Sequence, residues 1–238
     1  MKVKLHTIPV NDAFDNGGEC PVCNMRKELE VNAIDFTMGP SYMEDDIRAE
    51  TSRLGFCGAH IELLYKNQNR LGLALILKSH MDKVIRDVEK LSASNARIPA
   101  PSLFKRQGEG SGLVSYIEGL DNSCYICDMI NRTFERYIDT IYYLYRQEDS
   151  FRQKFRNCKG FCSHHYGMLY KNAPKHLSQG QLKDFIRELD SLYLDNMKRV
   201  RDDLDWFVDK FDYRYANEPW KNSKDALPRT ISKTNSII

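Results

Sequence analysis

The chain has 238 residues, of which 35 are lysine or arginine and 33 are aspartate or glutamate, so its formal net charge is only +2. This near-balance gives no electrostatic reason to expect nucleic acid or an anionic membrane as a partner. Hydrophobic residues make up 42% and charged residues 29%, which excludes a disordered or collagen-like chain and is typical of a soluble protein with a substantial core.

The N-terminal twenty residues contain no continuous apolar segment and no small-residue cleavage site, so they do not resemble a signal peptide. The most apolar later stretch, Leu71–Leu77, is too short to span a bilayer, which needs about 20 apolar residues. We therefore expect a cytoplasmic protein with no membrane association. In that compartment seven cysteines indicate metal or thiol chemistry rather than structural disulfides.

Apolar residues at helical spacing predict that most of the chain is α-helical. Strand signals are weak and confined to the first ten residues. The apolar stripes, including the tyrosines between Tyr142 and Tyr145, are typical of a helical-bundle core, with base stacking on nucleic acid as the alternative. The predicted helices cover residues 24–37, 57–64, 70–91, about 127–144 and 181–212.

The cysteines lie in a tandem sequence repeat. In the first half the motifs are Cys20-Pro-Val-Cys23 and Gly55-Phe-Cys57-Gly-Ala-His60, and in the second half they are Cys124-Tyr-Ile-Cys127 and Gly160-Phe-Cys162-Ser-His-His165. Because so many identities share one register, we infer an internal duplication. The predicted fold class is an all-α helical bundle built from two metal-binding units, at 1–92 and 113–212, with a linker at 93–112 and an irregular C-terminal tail at 213–238.

Each unit is expected to bind one metal ion with its own three cysteines and one histidine. The two-residue spacers let both side chains of a pair reach the same ion. Thiolate and imidazole ligands suit Zn²⁺, or alternatively an iron–sulfur cluster, far better than magnesium or calcium. The predicted ligands are Cys20, Cys23, Cys57 and His60 in the first unit, and Cys124, Cys127, Cys162 and His165 in the second.

The ligand pairs are predicted at helix N-termini, where unpaired N–H groups and the helix dipole stabilise thiolates. The glycine before each Phe-Cys permits a positive φ just ahead of the helix. Four protein ligands leave no coordination position for water, which favours a structural zinc site over a catalytic one. The alternative to metal binding is that the cysteines are buried thiols or redox pairs. His164 is expected to be a back-up ligand, or otherwise a residue beside the site or at the surface, and Cys158 is expected to be a packing or free thiol.

Two acidic pairs, Glu44-Asp45 and Glu148-Asp149, could be interpreted as catalytic carboxylates. Each pair precedes an apolar residue and an arginine, which favours a helix N-terminus instead. The sequence contains no nucleophile elbow, phosphate-binding loop or dinucleotide fingerprint. No catalytic residue is therefore assigned, and an enzyme is less favoured than a binding protein.

Several segments spread over nearly the whole length carry a family resemblance. They are Thr7–Phe14, Cys20–Cys23, Gly55–His60, Asn69–Leu77, Cys124–Cys127, Gly160–Cys162, Phe211–Arg214 and Glu218–Trp220. On these segments the chain resembles a bacterial protein family of unknown function, seen mainly in anaerobic Firmicutes. The resemblance implies no activity that can be carried over.

Together these observations predict a cytoplasmic zinc-binding protein with two structural Cys3His sites, acting as an interaction or regulatory module. The alternative is a redox or iron–sulfur protein that uses the same ligands. A protein partner or a second copy of the chain is expected, and a nucleic-acid partner is only weakly indicated.

Overall fold

The computed structural model of the protein describes residues 5–95 and 112–237. These residues form eleven α-helices and no β-strand, which confirms the predicted all-α class. The helices are α1 (Thr7–Asp15), α2 (Pro21–Met38), α3 (Asp45–Leu54), α4 (Gly58–Lys66), α5 (Arg70–Asn95), α6 (Gly112–Asp121), α7 (Tyr125–Gln147), α8 (Asp149–Asn157), α9 (Ser163–Asn172), α10 (Gln179–Asp209) and α11 (Ala226–Asn235). Across the described ranges, none of the helices has the length and hydropathy needed to cross a bilayer.

The chain divides into two compact units that do not follow the sequence repeat. The central unit is Glu30–Arg132, and the terminal unit combines Met1–Leu29 with Thr133–Ile238. Each unit therefore takes residues from both predicted repeats, 1–92 and 113–212. Most of the predicted linker at 93–112 falls on residues 96–111, outside the described ranges, and α5 extends to Asn95.

The terminal unit has a core dominated by aromatic side chains. Phe155 is fully buried, and its ring centroid lies 5.4 Å from Tyr145, 5.4 Å from Phe161 and 5.3 Å from Phe185. Tilted and edge-to-face arrangements at this spacing add to the stabilisation from burying the rings. Helices α7, α8 and α10 and the turn before α9 contribute these rings, so the core holds the turn that leads into α9.

The tyrosines of α7 belong to this core, as predicted. Tyr142 is fully buried, and its hydroxyl donates a hydrogen bond to the Leu169 carbonyl at 2.7 Å. Tyr145 is also buried, with its hydroxyl 3.0 Å from a Glu188 carboxylate oxygen. Neither ring is exposed for base stacking, so Tyr142 and Tyr145 serve the core.

In the central unit, polar contacts join the turn before α4 to the start of α7. The Tyr125 backbone N–H donates to the Gly55 carbonyl at 3.0 Å, and the Ser123 hydroxyl donates to the Leu54 carbonyl at 2.6 Å. His80 on α5 lies with its Nδ1 2.7 Å from the Ser52 carbonyl oxygen. These bonds bring two cysteine motifs from different repeats into one neighbourhood.

The two acidic pairs occupy helix N-termini, as the favoured interpretation expects. Asp45 begins α3 and Asp149 begins α8, each preceded by its glutamate at the N-cap. Arg152 returns an ion pair to Asp149 at 3.4 Å. Carboxylates in this position stabilise the helix through its dipole.

Two segments differ from their sequence-based predictions. The weak strand signals in the first ten residues were misleading, because Thr7–Asp15 is the helix α1. The predicted irregular tail at 213–238 contains the helix α11, which packs against α9 and α10. Pro9 and Pro228 each lie in the first turn of a helix. Backbone N–H groups in a first turn make no intrahelical hydrogen bond, so a proline there does not prevent the helix.

Replacing Phe155 by alanine should remove the centre of the aromatic core and lower the free energy of unfolding of the terminal unit by about 3–5 kcal/mol. Phe211, which is 76% exposed, is the matched control, and its replacement by alanine should change stability by less than about 0.5 kcal/mol. Denaturant titration followed by tryptophan fluorescence measures both effects, because Trp206 and Trp220 both lie in the terminal unit. Equal stability of the two variants would contradict this description of the core.

Candidate metal centres

The terminal unit holds a cluster of three cysteines and one histidine, here called the terminal cluster: Cys20, Cys23, Cys162 and His165. The His165 Nδ1 atom lies 3.5 Å from the Cys20 sulfur, 3.3 Å from the Cys23 sulfur and 3.2 Å from the Cys162 sulfur. The Cys23 and Cys162 sulfurs are 3.6 Å apart. All four side chains are buried, so the cluster is closed to solvent.

The central unit holds the equivalent central cluster: Cys57, His60, Cys124 and Cys127. The His60 Nδ1 atom lies 3.3 Å from each of the three sulfurs. Cys124 and His60 are buried, whereas Cys57 and Cys127 are partly exposed. The central cluster thus repeats the geometry of the terminal cluster in a more open setting.

Every ligand pair lies at the start of a helix. Cys57 and Cys162 are the N-cap residues of α4 and α9, with almost identical backbone angles of −72°, 163° and −73°, 162°. His60 and His165 are the third residues of those helices. The two Cys-x2-Cys motifs have the same arrangement, because the first cysteine directly precedes α2 or α7 and the second is the third residue of the helix. An N-cap side chain and the third helical residue are near neighbours, so each two-residue spacer brings two donor atoms together.

The glycines before the Phe-Cys turns have the positive φ that the sequence predicts. Gly55 has φ +60° and Gly160 has φ +74°, values that side-chain-bearing residues rarely adopt. A Cβ atom would also lie 2.8 Å from the His80 ring at Gly55 and 2.7 Å from the Leu192 carbonyl oxygen at Gly160. Glycine at these positions therefore lets the chain turn and place the next cysteine at the N-cap.

The sequence-based prediction of which cysteine and histidine motifs share an ion is wrong. It assigned Cys20 and Cys23 to an ion shared with Cys57 and His60, all from the first repeat. In the structure the Cys-x2-Cys motif of each repeat faces the Cys-x2-His motif of the other repeat. The physical reason is that helices α2 and α9 begin next to each other in the terminal unit, while α4 and α7 begin next to each other in the central unit.

All eight residues predicted as ligands lie in the two clusters, and their role as ligands stays a prediction that this placement supports. His165 faces the sulfurs, whereas its neighbour His164 is outside the cluster. Cys158 also joins neither cluster among the described residues, and burial raises the pKa of its thiol to about 11. A mostly protonated thiol at neutral pH agrees with the expected packing role.

The size of each cluster fits a single tetrahedral ion. With bonds of about 2.3 Å to sulfur and 2.0–2.1 Å to nitrogen, the corners of a regular zinc tetrahedron lie about 3.5–3.8 Å apart. The sulfur–nitrogen distances are between 3.2 and 3.5 Å, and the donor atoms of each cluster all lie within 4.8 Å of one another. The donor chemistry and the spacing therefore both suit zinc in each cluster.

Close packing of thiols makes their ionisation unequal in the terminal cluster. Burial raises the pKa of Cys20 to about 12. Hydrogen bonds from the thiols of Cys20 and Cys23 lower the pKa of Cys162, with further contributions from His165 and the Ser236 hydroxyl. One thiolate is thus favoured, and the others are held protonated until a cation offsets the repulsion between like charges.

The central cluster has the same imbalance. Burial raises the pKa of Cys124, but hydrogen bonds from His60 and from the backbone amides of Cys127 and Cys57 outweigh it and bring the pKa to about 6. Burial and the charge of Cys124 raise the pKa of Cys127 to about 12. Because bound thiolates must be deprotonated, metal affinity should fall as the pH is lowered through the acid range.

Some residues around the clusters carried no motif and were missed from sequence. Glu30 places a carboxylate oxygen 3.2 Å from His60 Nε2, a contact that orients the imidazole with Nδ1 toward the sulfurs. The Ser236 hydroxyl lies 3.0 Å from the Cys162 sulfur, so α11 reaches the terminal cluster. Lys233, only 1% exposed, bonds the backbone carbonyls of Glu19 and Lys159 and lies 3.3 Å from a Glu19 carboxylate oxygen. A lysine in a tail rich in polar residues gave no sign of burial.

The fold and the two clusters define an all-helical protein with duplicated Cys3His candidate metal centres. Residues 1–238 match the family model described as DUF6062, a family of unknown function, and the chain belongs to that family. No curated protein and no solved structure matches the chain.

The exchanged pairing predicts opposite outcomes for two double variants. Cys20→Ser with Cys162→Ser damages only the terminal cluster and should reduce the metal content from two ions per chain to one. Cys20→Ser with Cys57→Ser damages both clusters and should leave no bound ion. Elemental analysis of the purified full-length variants distinguishes the cases, with Cys158→Ser as the control that keeps both ions. If each repeat bound its own ion, the two results would be reversed.

Loss of the buried Lys233 ammonium should destabilise the terminal unit. Lys233→Ala leaves the Glu19 and Lys159 carbonyls without their donor, at a cost of about 1–3 kcal/mol for each unsatisfied buried group, while the Glu19 carboxylate keeps its ion pair with Arg199 at 2.6 Å. Lys224→Ala, at an exposed position nearby, is the control and should have little effect. Denaturant titration read by tryptophan fluorescence gives the comparison, and similar midpoints for the two variants would show that Lys233 is not structural.

Proposed function

We propose that this protein binds two zinc ions in structural Cys3His centres and acts in the cytoplasm as an interaction or regulatory module. The observation that carries the proposal is the grouping of three thiols and one imidazole nitrogen within 4.8 Å, twice in one chain. Each donor set fills the four positions of a tetrahedral ion. Structural zinc sites have this closed, four-ligand form.

The small size of the clusters supports one ion per site rather than an iron–sulfur cluster. In an iron–sulfur cluster the protein ligands bind different iron atoms, so their donor atoms are spread over a larger space. Here His60 Nδ1 is 3.3 Å from all three sulfurs of its cluster, which suits ligands that share one centre. The iron–sulfur alternative therefore has less support than zinc.

A structural role fits the ligand set better than a hydrolytic one. Three thiolates and Zn²⁺ give a net charge near −1, which makes a poor Lewis acid. The terminal cluster is also fully buried, with no exposed ligand through which a substrate could approach. Both points favour ions that hold helix N-termini together.

The cytoplasmic location is supported by the seven cysteines, all of which are free thiols. Reduced thiols are typical of the cytoplasm, where glutathione and thioredoxin prevent disulfides. The family resemblance seen in the sequence supports a bacterial cell.

A protein partner, or a second copy of the chain, is supported by exposed apolar side chains on α5. Leu71 is 67% exposed, Met81 is 60% exposed and Ile85 is 51% exposed. Such side chains are common at surfaces that associate with other proteins. Nucleic acid has less support, because the net charge is small and Tyr142 and Tyr145 are buried.

Elemental analysis of protein purified without oxygen tests the metal assignment. We expect about two zinc ions per chain in a colourless protein. Iron with acid-labile sulfide and absorption near 400 nm would overturn the zinc assignment in favour of the iron–sulfur alternative.

The structural role predicts that each ion stabilises its own unit. Cys162→Ser should release one zinc ion and lower the stability of the terminal unit by several kcal/mol, because zinc binding contributes about 10–16 kcal/mol to folding in small zinc peptides. Cys57→Ser, at the equivalent position of the other repeat, should also release one ion but leave the tryptophan-monitored transition of the terminal unit unchanged. Full stability of Cys162→Ser after loss of its ion would rule out the structural role.

A further inference from the structure

The two clusters have the same ligands but differ in their access to solvent. In the terminal cluster Cys162 is fully buried, and Cys20 and Cys23 are 1% and 2% exposed. In the central cluster Cys57 and Cys127 are both partly exposed. Because thiolate chemistry requires contact with a reactant, only the central cluster presents sulfur atoms that a reactant can reach.

Burial of the terminal cluster depends on α11, which lies outside the sequence repeat. The Ser236 hydroxyl contacts the Cys162 sulfur, and Lys233 binds the backbone just before Cys20. These contacts hold the C-terminal helix over the cluster. Thus one copy of the duplicated motif is sealed by an element that the repeat itself does not supply.

Cys57 lies at the wall of a cleft within the central unit. The cleft has a volume of about 540 Å³, and its lining is apolar apart from the side chains of His80 and Asp121. Phe56 lies beside Cys57, and the facing side chains come from α5 and α6: Met81, Val84, Ile85 and Leu120. An apolar cleft favours a reactant that carries an uncharged, apolar group, since binding removes apolar surface from water.

We propose that the central cluster is a reactive thiolate site at which Cys57 reduces organic hydroperoxides with an apolar group, while the terminal cluster is purely structural. This inference rests on the proposed function, because it assumes that both clusters bind zinc. The two clusters have the same ligand motif but different roles in this proposal.

The chemistry begins with the Cys57 thiolate attacking the terminal oxygen of the hydroperoxide. A sulfur–oxygen bond forms and the oxygen–oxygen bond breaks, so Cys57 becomes a sulfenic acid while the organic alkoxide leaves and takes a proton from water. The Cys127 thiolate then attacks the Cys57 sulfur, forming a disulfide and releasing hydroxide. In total the two thiolates lose two electrons and the hydroperoxide is reduced to an alcohol.

Cys127 is the suitable second thiol because it is the other partly exposed sulfur of the central cluster. Both sulfurs lie 3.3 Å from His60 Nδ1, and the donor atoms of the cluster are within 4.8 Å of one another. Disulfide formation removes two of the four ligands, so the affinity of the central cluster for its ion is lost. The contact between the starts of α4 and α7 then no longer depends on a shared ion.

Zinc release from the zinc-loaded full chain tests this inference. The protein is mixed with cumene hydroperoxide or hydrogen peroxide, and released zinc is followed with a chromogenic chelator. We expect one ion per chain to be released and one retained. The rate with each peroxide is divided by the rate at which the same peroxide oxidises N-acetylcysteine. After this correction, zinc release should be about tenfold faster with cumene hydroperoxide than with hydrogen peroxide, which corresponds to burying roughly two methylene groups. Peptide mass mapping should find a disulfide between Cys57 and Cys127.

Two sets of variants serve as controls. Cys57→Ser should bind one ion and release none with either peroxide, whereas Cys162→Ser, its counterpart in the other repeat, should bind one ion and release it. Ile85→Trp fills the cleft without altering a ligand, so it should keep two ions and lose the preference for cumene hydroperoxide over hydrogen peroxide. This last variant keeps the test valid even if Cys162→Ser fails to fold.

The outcomes separate this inference from the proposed function. Release of both ions at one rate, earlier release from the terminal cluster, or first oxidation at Cys158 would overturn the reactive site while leaving two zinc ions in place. A chain that binds no zinc would overturn both.

Discussion

The structure depends on one constraint, which is that each cluster joins two helix N-termini from distant parts of the chain. The Cys23 and Cys162 sulfurs are 139 residues apart in sequence and 3.6 Å apart in space. A cation shared by such ligands fixes both helix starts at once, because an N-cap side chain and the third helical residue have little freedom. The core of the terminal unit includes side chains from both of these helices, such as Met25 on α2 and Leu169 on α9.

The local parts of this arrangement could be predicted from sequence, and the long-range parts could not. The Cys-x2-Cys and Gly-Phe-Cys-x2-His spacings indicated helix N-termini and a positive φ because both are decided within a few residues. The pairing was not predictable in this way, because either Cys-x2-Cys motif can chemically complete either Cys-x2-His motif. Helix α11 was missed because Pro219, Pro228 and many polar residues suggest a loop, whereas the burial of Lys233 depends on carbonyls from Glu19 and Lys159.

The two sequence repeats supply equivalent donor sets, but the surroundings of the two clusters differ. Glu30 contacts the histidine of the central cluster, while Ser236 contacts a cysteine of the terminal cluster. The terminal cluster is contacted by the segment that follows the repeat, whereas Cys57 of the central cluster lines a cleft. The same ligand chemistry can therefore serve stability in one place and reactivity in another, since burial decides which molecules reach the sulfur.

The exchanged pairing also determines when each cluster can be completed during synthesis of the chain. The Cys20 motif leaves the ribosome first but meets His165 only 145 residues later, a delay of about 7–30 s at ordinary rates of translation. During that interval Cys57 and His60 emerge and are chemically able to capture an ion together with the wrong cysteine pair. The first cysteine motif to be synthesised therefore meets its partner last, after the competing Cys-x2-His motif has already emerged.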